Sequence, residues 1–60
     1  MLFTANIAQQ VAIETAIIID EDPGSFSPGQ AESLAIGVVS DALLVDRASV
    51  ELCVLMNRDA

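Results

Sequence analysis

The sequence predicts an all-α fold: a small domain of two to three helices, about residues 5–19, 28–44 and 47–57, forming an intertwined or packed homodimer. Three observations carry that expectation. Apolar residues recur at helical spacing over most of the chain. The stretch Phe26-Ser27-Pro28-Gly29-Gln30 has the form of a helix start, with one apolar segment before it and a longer one after. Finally, 53% of the 60 residues are hydrophobic and the mean hydropathy is +0.59, which is more apolar surface than a small monomer hides.

The first segment opens on Met1-Leu2-Phe3, with Thr4 placed to cap the first helix. Ile7, Ala8, Val11, Ala12, Ile18 and Ile19 share one side of that helix, and Asn6, Gln9, Gln10 and Glu14 another. Ile13 and Ile17 stand four apart and outside that core face. They are either the edge of a wide core or a second seam against another molecule. Ile17-Ile18-Ile19 lowers helix propensity and admits a short strand, but Ala5, Ala8, Ala12 and Ala16 favour the helix.

Residues 20–27 read as an acidic turn within a single domain, 1–60. Asp20-Glu21-Asp22 sits badly at the negative end of a helix dipole, and Pro23-Gly24 forces a turn. A calcium loop does not fit. Aligning Gly24 with the loop glycine puts Ile19, Pro23 and Gln30 where oxygen ligands belong. Ser27 is the N-cap of the second helix, Pro28 its first residue and Gln30 the third, which makes a capping box; Phe26 and Ala31 have the spacing of a hydrophobic staple.

In the second helix the expected core face is Ala31, Leu34, Ala35, Val38, Ala42 and Val45. Ala31 and Ala35, four apart, allow another helix to approach closely. Ile36 and Leu43 lie one heptad apart and away from that face, with Val39 beside them, like a fragment of a coiled-coil seam. Asp46 is placed to cap a third helix, with Val45 and Val50 as its staple. There the expected core is Ala48, Leu52, Leu55 and Met56, while Val50, Cys53 and Val54 fill much of the other side. The same residues alternate as a strand would, so residues 47–57 admit both readings, with helix preferred. Asn57 to Ala60 are expected to fray.

A chain this short buries only about 60% of the surface its unfolded form exposes, and small domains offset that with disulfides, metal or association. Cys53 is the single cysteine and there is no histidine, so neither an internal disulfide nor a zinc site is expected. Association remains. No charge-free run reaches the ~20 residues that a spanning helix needs, and the N-terminus lacks the basic opening of a secretory signal. With an unpaired cysteine, the expected compartment is the cytoplasm.

Nine acids face two bases, Arg47 and Arg58, giving a net charge of -7 and a pI near 4.1. That balance disfavours direct nucleic-acid binding, which needs basic residues, and favours partners with basic surfaces. Without His, Lys or Tyr, the serines and Cys53 have no activating base, and the glycines have no phosphate-loop spacing. No enzyme activity, cofactor or metal is expected. The expected function is a small acidic interaction module that regulates or inhibits a larger protein by binding it. Its contacts would be Ile13, Ile17, Ile36 and Leu43, with Asp20, Glu21 and Asp22 as a steering rim. The alternatives are an acidic mimic of nucleic acid that blocks a basic cleft, and a structural self-assembly subunit.

Overall fold

Alanines at positions 5, 8, 12 and 16 keep the first segment helical through its isoleucine-rich end. In the computed structural model, which describes the backbone of residues 2–58 and the side chains of residues 5–58, it forms α1, Leu2–Glu21. Thr4 is therefore inside the helix rather than at its cap, and the helix runs on through Asp20 and Glu21. The amide of Asp22 still donates to the Ile18 carbonyl (3.2 Å). The acidic turn is correspondingly shorter. The Ser25 amide and hydroxyl both donate to Asp22, and Gly24 takes φ +85°, a conformation that glycine adopts without strain.

The second helix, α2, is Pro28–Leu43. Its capping box forms as the sequence predicts: the Gln30 amide donates to Ser27 Oγ (3.2 Å), and the Ser27 amide donates to Gln30 Oε1 (3.0 Å). The helix ends on Leu44, which lies in the left-handed region at φ 56° and is 93% exposed. Its amide and that of Val45 both donate to the Ser40 carbonyl, and the Ser40 hydroxyl donates to the Val45 carbonyl. A left-handed leucine costs about 1–2 kcal/mol that a glycine would not. Because Leu44 has no packing to lose, Leu44→Gly should stabilise the fold by about 0.5–1 kcal/mol, after the greater freedom of glycine in the unfolded chain is deducted. Urea unfolding would show it.

The third element, α3, is a helix, Arg47–Arg58, not a strand. Asp46 caps it, accepting from the Ser49 amide (3.1 Å) and hydroxyl (2.9 Å). Those two bonds favour the carboxylate and hold the Asp46 pKa below its ordinary 3.8. A depressed carboxylate contributes stability above its unfolded pKa and loses it as pH falls through the folded value. The stability gap between the native chain and Asp46→Asn, a neutral residue that also caps, should therefore close as pH drops below about 4. Paired urea titrations at pH 7 and pH 3 would test this. Asn57 and Arg58 remain helical, and Asp59 and Ala60 lie outside the described residues.

The core is small. It consists of Ile7, Val11, Ala35, Ile36, Val39, Val50 and Cys53, with Ile18, Val45 and Val54 packed against it; Ala31 is also fully buried. α1 packs against both other helices. The molecule spans 33 × 25 × 15 Å, and each of the three helices touches both of the others. Its accessible surface is 4138 Å², against about 3,700 Å² for a typical monomer of this mass.

Two expected faces are rotated. On α2 the buried residues are Ala31, Ala35, Ile36 and Val39, whereas Leu34, Val38 and Ala42 point outward. The core stripe is turned by roughly 60° at 3.6 residues per turn. Ile36 is thus a core residue, not a surface contact. The cause is α3: with a helix on each side, α2 buries an arc wide enough to take Ile36 into the groove it forms with Val54 and Leu55. On α3 the buried residues are Val50 and Cys53, while Leu52, Leu55 and Met56 are all more than half exposed. Val45 packs on the core that Val50 fills, so the staple sets the rotation of α3 and turns its larger leucines out. On α1, Ile7 and Val11 are buried as expected, Ile18 is half-buried, and Ala12 and Ile19 are exposed.

Both arginines hold α3 against α2. Arg47 Nη2 donates to the Ser33 carbonyl (3.0 Å) and hydroxyl (2.7 Å), while its Nε reaches Glu51 (3.1 Å). Gly37 makes room for it, since a Cβ there would stand 3.2 Å from Arg47 Nη1. Arg58 donates from Nη2 to both oxygens of Glu32 at 2.8 Å. These pairs are solvent-exposed and each is worth under about 1 kcal/mol, so they fix the angle of α3 more than its stability.

Candidate interaction surface

An apolar stripe runs along the outward side of α1. Asn6, Gln10, Ile13, Ile17 and Asp20 succeed one another at spacings of three and four, which places them on one side of the helix. Ile13 and Ile17 are 45% and 44% exposed. Leu43 of α2 borders a hollow with Asn6, Gln9 and Gln10, so it sits beside the amide end of the same stripe. Asp20, Glu21 and Asp22, all exposed, occupy the other end. The structure therefore sets Ile13 and Ile17 along one side of α1, with Leu43 near its amide end and the three acids at the other end. It removes Ile36, which lies in the core.

A second apolar stripe, expected in the core from the sequence, is surface. Ala48, Leu52, Leu55 and Met56 recur at i, i+4, i+7 and i+8, which makes one continuous face of α3 opposite Val50 and Cys53. The signal that identifies it is the Val45–Val50 staple, which is incompatible with Leu52 facing inward. Glu51 and Arg58 border this stripe on one side and, with Ile36 and Val54 between them, line the α2–α3 groove. A third, smaller patch joins Leu34 to Phe26 around a hollow with Gln30 and Ser33.

The chemistry at these surfaces is that of contact. Among the described residues no group of three or more metal-ligating side chains gathers, and Cys53 is buried with its thiol inside the core. No described helix is long and apolar enough to cross a membrane. Every buried side-chain polar atom among the described residues has a hydrogen-bond partner, so no interior group there awaits a ligand. No protein-family model matches the chain, and neither a curated protein nor a solved structure does.

Proposed function

We propose that the chain is a small acidic protein-interaction module of the cytoplasm, which associates with itself and regulates or inhibits a larger protein by binding it. The observation that carries this reading is the α1 stripe. Ile13 and Ile17 lie exposed on one side of α1, between an end where Leu43 borders Asn6 and Gln10 and an end that carries Asp20, Glu21 and Asp22. An apolar centre beside a charged edge is how protein interfaces combine affinity with steering. With a net charge of -7 and no lysine, the fitting partner has a basic surface.

The test is affinity capture from the native host with the native chain and an Ile13→Glu, Ile17→Glu variant. Both positions are exposed, so the variant should keep its helical circular dichroism. A specific partner should be retained by the native chain, depleted at least tenfold by the variant, and should survive 0.5 M salt. Equal recovery by both forms would remove α1 from the contact surface. Loss of the complex in salt, together with displacement by duplex DNA, would instead identify a nucleic-acid mimic.

A further inference from the structure

We infer that the self-association in the reading above runs through α3, whose outward face pairs with the same face of a second copy in antiparallel orientation. The inference rests on that reading and names its surface. Ala48, Leu52, Leu55 and Met56 present an apolar seam at heptad-like spacing, which no described residue covers. The charges decide the occupant. Arg47 and Arg58 balance Glu51 and the capping Asp46, so α3 with its cap is neutral, while α1 and α2 are both acidic. Two chains of charge -7 repel least when they meet there. A basic partner, by contrast, is drawn to the acidic α1 side.

Orientation comes from Glu51 and Arg58. They lie seven residues apart on the same flank of the seam. In an antiparallel pair like flanks meet, so each Glu51 faces the Arg58 of the other copy. A two-fold axis near Leu55 creates that match twice, as an isologous contact requires. It also sets Leu52 against Met56. A parallel pair would place Glu51 across from the Ser49 flank, with no opposite charge. Arg58 spends only Nη2 on Glu32, and Glu51 only Oε1 on Arg47, so both retain hydrogen-bonding capacity. The surplus of accessible surface over a typical monomer supplies area for such a contact.

Sedimentation equilibrium tests the surface. The native chain should be a dimer, and Leu52→Glu, Leu55→Glu should raise its dissociation constant at least a hundredfold without loss of helical circular dichroism. A variant that dimerises like the native chain would overturn the α3 assignment while leaving self-association standing. A native chain that stays monomeric at millimolar concentration would overturn both. Oxidative cross-linking tests the orientation without relying on the charged variant. Leu55→Cys lies near the axis and should form a covalent dimer. Ala48→Cys should not, because in the antiparallel pair the two copies of that position stand ~20 Å apart at 1.5 Å per residue, beyond the ~7 Å reach of a disulfide. Cross-linking at both positions would mean a parallel pair, and at neither would mean a different face.

Discussion

Ile36→Glu should unfold the chain, and Leu43→Glu should leave it folded. The two positions are one heptad apart on α2 and look alike in the sequence, but Ile36 is 7% exposed and Leu43 45%. A glutamate at position 36 would forfeit about 1.5–3 kcal/mol of apolar burial. It would also place a carboxylate among Val39, Val50 and Val54, next to Glu32 and Glu51, where the nearest base is already bound to Glu32. An uncompensated buried charge costs several kcal/mol more. A core of this size supplies no more than about 3–5 kcal/mol in total. Circular dichroism at 25 °C should therefore show loss of helix in Ile36→Glu, with Leu43→Glu within about 1 kcal/mol of the native chain. A cooperative melt in Ile36→Glu would mean that position 36 is not part of the core.

Ala35→Leu should be the next most damaging change. Ala31 and Ala35 are both fully buried, and the absence of larger side chains there lets a neighbouring helix approach α2 closely. Extra methylenes at such a contact force off-rotamer packing or push the helices apart, at about 1–3 kcal/mol. For a domain of this size that corresponds to a melting point lower by roughly 4–8 °C per kcal/mol. Ala16→Leu, the same change at an exposed position of α1, should have almost no effect. Both melts need one protein concentration, because association adds to apparent stability. Equal melting points would show that the close approach is absent.

Signals that depend on neighbours within one turn are the legible ones. Ser27 and Gln30 announce the start of α2, Asp46 the start of α3, and Ala31 and Ala35 a buried face. The rotation of each helix is harder to read, because it depends on which other helices it touches. α2 and α3 are apolar over more than one face, and periodicity alone cannot choose between faces that both satisfy it. For α3 the sequence does hold the answer. The Val45–Val50 staple commits Val50 to the core, and with it the outward direction of Leu52 and Leu55. For Ile36 no local signal exists, since its burial is made by a helix that begins eleven residues later. On the α1 stripe, Ile13 and Ile17 are legible because they stand well round the helix from Ile7 and Val11, whichever neighbours α1 has.

The absence of lysine turns the Arg47 clamp into a clock. Trypsin has only Arg47 and Arg58 to cut after, and the bond beyond Arg47 lies in the first turn of α3, with its guanidinium spread over Ser33 and Glu51. Cleavage at that bond requires the helix to lift off and extend, so its rate counts how often α3 leaves α2. Anything that seats a second molecule on α3 should slow that single cut, which makes a digestion time course a direct gauge of occupancy.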